Sequence, residues 1–120
     1  MPFETDLELR HRPGHVRWEV IQPLTYRAAD GRVVEVPAGY LSDLASVPQL
    51  ARRIVDPQTP QARRPSVVHD YIYTHLTHRF SKAEADRILY DALREEGMNT
   101  PLAWLMWKAV RLGGRGTWSA

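Results

Sequence analysis

The stretch Val67–Tyr73 constrains this chain most, because it places two ionisable residues inside an otherwise apolar run. If the stretch is helical, His69 and Tyr73 lie one turn apart, and Asp70 is rotated by about 100° toward the edge of the same face. A buried carboxylate costs several kcal/mol of folding free energy unless a cation or hydrogen-bond donors pair with it. The sequence therefore predicts that folding brings partner groups to His69 and Asp70.

Composition narrows the class of protein. The chain has 120 residues, 43% of them hydrophobic, which suits a single folded domain spanning residues 1–120. Cysteine is absent, so neither disulfides nor thiolate metal sites can hold the fold. The net charge of +2 is too small to indicate nucleic-acid binding, and no apolar run of about 20 residues could span a membrane. Residues 1–10 are mixed and acidic, so we expect no signal peptide.

The first third of the chain predicts a small antiparallel sheet. Alternating apolar and polar residues over 16–21 are typical of a half-buried strand, and a weaker alternation over 3–12 indicates an edge strand. Asp30-Gly31 predicts a hairpin turn between two further extended segments. Prolines and a glycine bracket residues 36–48, which predicts a shaped loop that draws Asp43 into a partly buried setting.

The second half predicts three helices. Pro65 suits the first turn of the helix that carries His69, which should end near residues 75–78. Ser81 and Glu84 have the spacing of a capping box, and the helix that they begin should bring Asp86 toward His69.

Gly97 is the expected end of this second helix, and Thr100-Pro101 predicts the start of the last helix. Residues Leu102–Val110 are apolar on nearly every side, so we expect them to serve as core and as a protein interface, in preference to a lipid anchor. The predicted fold is α+β, with an N-terminal antiparallel sheet of three or four strands packed against about three C-terminal helices.

Two motifs carry a resemblance to a known family. They are Val36–Pro48, which contains the Gly39-Tyr40 and Asp43 positions, and Val68–Tyr73, which is followed by Ala85-Asp86. Together they resemble a phage and prophage family catalogued as domain of unknown function 1353, from about Trp18 to about Gly114. The resemblance implies a small protein encoded among tail or lysis genes, in a virion or in the host cytoplasm, and it brings no established activity.

The candidate site gathers carboxylates and one imidazole that are far apart in the chain. The donor set predicted for a divalent metal such as Zn²⁺ is Asp43, His69, Asp70 and Asp86, which leaves a coordination position open for water. Without a metal, His69 or Asp70 could act as general base, with Ser46 a weaker candidate nucleophile, because no G-x-S-x-G elbow is present.

A structural polar network is the alternative interpretation of the same residues. In it Asp43 caps a turn, Asp70 pairs with an arginine (Arg52, Arg53 or Arg87), and His69 forms a hydrogen bond across the core.

Two functions remain open from the sequence. One is a phage tail, baseplate or lysis-module component that binds other phage proteins or itself through Leu102–Val110. The other is a small metal-dependent hydrolase that acts on peptidoglycan.

Overall fold

The computed structural model describes Phe3 and residues 9–11, 18–42 and 60–113. These residues form five short strands followed by three helices, which confirms the predicted α+β class. Two predicted site residues, Asp43 and Ser46, lie outside the described residues, as do Arg52 and Arg53.

The strands form two small antiparallel sheets where the sequence predicted one. The strands are β1 (Leu9–His11), β2 (Trp18–Val20), β3 (Leu24–Arg27), β4 (Val33–Val36) and β5 (Leu41–Ser42). One sheet has the order β1-β2-β5 and the other is the β3-β4 hairpin. Pro23, which has no backbone N–H to donate to a strand ladder, stands between β2 and β3. Strand β5 was not predicted, and its pairing places Ser42 opposite Trp18.

The hairpin prediction is confirmed. Gly31 has a φ of 93°, which a residue without a Cβ adopts at little cost. The Asp30 carboxylate accepts the backbone N–H of Arg32 at 3.0 Å, and the N–H of Ala28 donates to the Arg32 carbonyl at 2.8 Å. The turn therefore fixes the register in which Tyr26 faces Val34.

The helices are α1 (Arg63–His75), α2 (Lys82–Glu95) and α3 (Thr100–Gly113). Helix α1 ends where the sequence predicted. The capping box of α2 is present, because Ser81 Oγ accepts the N–H of Glu84 at 3.0 Å and Glu84 Oε1 accepts the N–H of Ser81 at 2.9 Å. Gly97, with a φ of 101°, follows the end of α2 as expected.

The start of α3 differs from the prediction by one residue, because the cap-then-proline pattern of Thr100-Pro101 predicts Thr100 as the capping residue. Asn99 Oδ1 accepts the backbone N–H of Leu102 at 3.0 Å, so Asn99 is the capping residue and Thr100 is the first residue of the helix. Asparagine and threonine both serve as N-caps, and only the backbone geometry decides between neighbours.

Helix α2 lies between α1 and α3, and α1 also packs against β3, β4 and β5. The first core cluster joins the sheets to α1 through residues such as Leu24, Val34 and Ile72. The second cluster joins α2 to α3 through residues such as Leu89 and Met106. In the described part of the chain, no helix is both long and apolar enough to cross a bilayer.

Candidate functional site

Helix α1 places three polar side chains of the central motif in the interior. His69 and Tyr73 are completely buried, and Asp70 is 3% exposed. His69 and Tyr73 are one turn apart, so both face α2, and their rings pack with centroids 4.3 Å apart. Asp70, one residue further along the helix than His69, is directed toward the strands instead.

Asp86 of α2 is the centre of the larger polar network. Its Oδ1 lies 2.8 Å from His69 Nε2 and also accepts the hydroxyl of Tyr73. Its Oδ2 accepts hydrogen bonds from Lys82 Nζ at 2.9 Å and from Arg111 Nη1 at 3.1 Å. The carboxylate of Asp86 has no exposed surface. All three helices contribute donors to this one buried anion.

The surroundings of Asp86 decide its ionisation. Burial by itself would raise the pKa of this carboxyl. The hydrogen bond and the electrostatic attraction of His69, with hydrogen bonds from Tyr73 and Lys82, outweigh burial and lower the pKa to about 2. Burial and the hydrogen bond to Asp86 raise the pKa of the Tyr73 phenol. At neutral pH Asp86 is therefore a carboxylate that accepts, and Tyr73 is a phenol that donates.

Lys82 also ties the last helix to this network. Its ammonium group donates to the carbonyl oxygens of Val110, at 3.0 Å, and Arg111, at 3.4 Å. These carbonyls belong to the final turn of α3, where a cation is favourable because the helix dipole is negative there. The position of α3 is thus coupled to the charge of Asp86.

Asp70 belongs to a second network on the side of the strands. Its Oδ2 accepts hydrogen bonds from Ser42 Oγ and from Tyr40 OH, each at 2.8 Å. Ser42 is completely buried, and the ring of Tyr40 packs edge-on against Tyr71. Because Ser42 is the last residue of β5, this contact joins the end of that strand to α1.

The structure brings together only part of the predicted site. His69 and Asp86 meet, as the helix spacing predicted, while Asp70 accepts hydrogen bonds from other donors. Among the residues that the structure describes, no three His, Cys, Asp or Glu side chains form a group that could hold a metal ion. The metal set that includes Asp43, and the proposed nucleophile Ser46, stay predictions.

The structural-network interpretation is correct for His69, and one of its three arginine candidates for Asp70 has a different partner. His69 does form a hydrogen bond across the core, to Asp86. Arg87, however, donates to Asp91 at 3.0 Å and not to Asp70, because the spacing of four residues puts Arg87 and Asp91 on the same face of α2. The remaining candidates for Asp70, Arg52 and Arg53, are outside the described residues.

Sequence reasoning missed three donors to Asp86. Lys82 could have been found, because it precedes Asp86 by four residues on the same helix. Tyr73 could have been found from its position one turn after His69. Arg111 is 25 residues away from Asp86, and nothing in the local pattern indicates that contact.

The comparison with known families agrees with these motifs. The family described as "Protein of unknown function (DUF1353)" matches residues 18–110, which include both networks up to Val110. Searches of curated proteins and of solved structures found no match. Since the matched region covers well over half of the sequence, the chain belongs to the DUF1353 family.

Proposed function

We propose that this protein is a small hydrolase in which His69 is the general base and Asp86 is the residue that positions it. The observation that carries the proposal is the completely buried contact of 2.8 Å between His69 Nε2 and Asp86 Oδ1. Because the pKa of Asp86 is lowered to about 2, the carboxylate is ionised and Nε2 must carry the hydrogen. As a general base, the ring would act through Nδ1, the nitrogen that is not turned toward Asp86.

The distribution of donors around Asp86 favours catalysis over a purely structural role. Lys82 and Arg111 both meet Oδ2, and either cation would balance the single negative charge. Charge balance therefore does not require the donors on Oδ1, which are His69 and Tyr73. What these contacts achieve is one fixed tautomer and one orientation of the imidazole, and this is the task of the carboxylate in a histidine–aspartate pair.

The proposed reaction is hydrolysis of a carboxylic ester or amide. Nδ1 of His69 removes a proton from water, the hydroxide attacks the carbonyl carbon, and the imidazolium returns the proton to the leaving group. Asp86 stabilises the imidazolium while it exists. Burial of the ring excludes bulk water and strengthens the His69–Asp86 interaction.

His69→Gln tests the proposal, because the glutamine amide can still donate to Asp86 but cannot accept a proton as a base. The matched control is His75→Gln, at an exposed position on the same helix. The assay measures hydrolysis of p-nitrophenyl esters of increasing acyl length and of purified peptidoglycan. We expect His69→Gln to lower kcat by about a hundredfold to ten-thousandfold while the control keeps full activity.

Two outcomes contradict the proposal. One is a folded wild-type protein that hydrolyses none of these substrates. The other is a folded His69→Gln protein that retains wild-type activity. Circular dichroism and thermal unfolding of each variant establish that the fold is retained.

The same assay addresses the predicted metal set of Asp43, His69, Asp70 and Asp86. Activity that survives treatment with a chelator supports the metal-free reaction. Activity that is lost on chelation and restored by Zn²⁺ contradicts the metal-free reaction and supports the metal set, with metal analysis of the purified protein as the independent measurement.

A place in a phage tail, baseplate or lysis module is a separate prediction, because it concerns where the protein works and not what it catalyses. It follows from the family resemblance, and no described contact bears on it. Mass spectrometry of purified particles from a host strain that carries the gene would test it.

A further inference from the structure

Helix α3 has two sides of different character. One side enters the core through Ala103, Met106 and Val110, which are completely buried. The opposite side exposes large apolar side chains: Trp104 is 46% exposed, Leu105 is 41% exposed and Leu112 is 76% exposed. The packing of α3 against α2 therefore leaves apolar surface uncovered over about two and a half turns.

The exposed residues lie on one strip of the helix. At about 100° per residue, positions 104, 105, 108 and 112 fall within an arc of about 100°. We name this strip the α3 stripe, and its members are Trp104, Leu105, Lys108 and Leu112. An apolar strip of this width on an exposed helix face indicates a binding surface.

The charge of the α3 stripe is wholly positive. Lys108 lies within it, with Nζ 5.7 Å from the ring centroid of Trp104 and 5.8 Å from that of Trp107. Helix α3 contains no Asp or Glu, and its other charged residue is Arg111. The stripe thus combines tryptophan, leucine and a cation, which is the chemistry that suits the boundary between lipid headgroups and acyl chains.

The sequence alone favoured a protein interface over a lipid anchor for this helix; from the exposed residues of the α3 stripe we infer instead that it docks on the surface of an anionic lipid bilayer. Leu105 and Leu112 enter the acyl boundary, Trp104 lies at the level of the headgroups, and Lys108 meets anionic phosphate. The helix lies in the plane of the surface and does not cross the bilayer, which agrees with its length of 14 residues.

A second copy of the chain is a poorer occupant of the same surface. A two-fold interface would place identical patches against each other, so each copy would bring Lys108 and no acidic residue of α3 to the shared surface. These two cations would have no neutralising partner on α3. An anionic lipid surface provides an apolar layer for the exposed side chains of the stripe and negative charge for Lys108.

The inference does not rest on the proposed hydrolase activity, and its experiment uses no substrate. Binding of the full chain is measured by co-sedimentation with vesicles of phosphatidylcholine alone and of an equal mixture of phosphatidylcholine and phosphatidylglycerol. We expect binding to the mixed vesicles and weak binding to the neutral ones.

Three variants divide the apolar and electrostatic contributions. The triple variant Trp104→Ser, Leu105→Ser, Leu112→Ser should weaken binding by at least about tenfold, and because these side chains are exposed the fold should persist. Lys108→Gln should weaken binding to anionic vesicles by about fivefold. Arg87→Gln is the matched control, since it removes one exposed positive charge from α2, away from the stripe, and should change binding little.

The outcomes are distinct. No binding of wild-type protein to the mixed vesicles, or equal binding by the folded triple variant, overturns the inference. So does a dimer in light scattering that the triple variant abolishes, which would assign the stripe to a second copy. If Lys108→Gln and Arg87→Gln lost equal amounts of binding to anionic vesicles, binding would depend on net charge alone. This outcome would also overturn the inference.

Discussion

Two buried carboxylates, Asp70 and Asp86, are held in different ways. Asp86 lies among three helices and accepts hydrogen bonds from two cationic side chains, a histidine and a tyrosine. Asp70 lies between α1 and the end of β5, and the donors that the structure describes for it are the hydroxyls of Tyr40 and Ser42. The first network binds helices to one another, and the second joins a helix to the strands.

Asp70 and Asp86 are both buried, yet their partners differ, so burial alone does not define the role of an acidic residue. Removing the charge of Asp86 would leave Lys82 and Arg111 facing each other without an anion, because both meet the same carboxylate oxygen. Among the donors described for Asp70, removing its charge would leave two neutral hydroxyls, which can still donate to an amide oxygen. The free-energy cost should therefore be larger at Asp86 than at Asp70.

The largest expected effect is that of Asp86→Asn. Breaking a fully buried ion pair costs about 3–5 kcal/mol, and because Lys82 and Arg111 are partly exposed, the free energy of unfolding should fall by about 3 kcal/mol in urea denaturation. Asp91→Asn is the control, because it breaks the Arg87–Asp91 pair on the surface of α2, which should cost no more than about 0.5 kcal/mol. Equal losses from the two variants would contradict the distinction between the buried network and a surface pair.

A smaller effect is expected in acid. The pKa of Asp86 is lowered from 3.8 to about 2, so its contribution to stability is complete above about pH 4 and is lost as the pH falls toward 2. The linked free energy is on the order of 2 kcal/mol. The measurement is the free energy of unfolding against pH for wild type and Asp86→Asn. The difference between the two should shrink over that window, while contributions of the other carboxylates cancel. A constant difference would show that Asp86 does not titrate in this range.

The smallest expected effect concerns the second network. Ser42→Ala removes one of the hydroxyl donors to Asp70 and should lower the free energy of unfolding by about 1 kcal/mol. A double-mutant cycle with Asp70→Asn measures the interaction itself. A loss as large as that of Asp86→Asn would contradict the expectation that the Asp86 network contributes more to stability than the Asp70 network.

Local features of the fold were predictable because their causes are local. The hairpin at Asp30-Gly31 depends on a positive φ, and the start of α2 depends on side chains three residues apart, Ser81 and Glu84. The division into two sheets was not predicted, because the pairing of β2 with β5 joins segments more than 20 residues apart. Alternation of apolar residues identifies a strand but does not identify its neighbour.

The candidate site was predictable in part for the same reason. Helical spacing indicated that His69 and Tyr73 share a face, and the position of Asp86 on the next helix made their meeting a reasonable prediction. The separation of His69 from Asp70 also follows from helix geometry, although the sequence interpretation placed both in one pocket. Side chains of adjacent helical residues diverge by about 100°, so they reach different elements.

The capping box of α2, the hairpin, the α+β class and membership of the DUF1353 family could be read from the amino-acid sequence alone, because they depend on short-range backbone preferences and on motifs read in order. Only the tertiary structure decided that Arg111 reaches Asp86 and that Trp104, Leu105 and Leu112 remain exposed on α3. Both depend on how α2 and α3 are packed, since a helix that is apolar on nearly every side gives no internal sign of which side the core will cover.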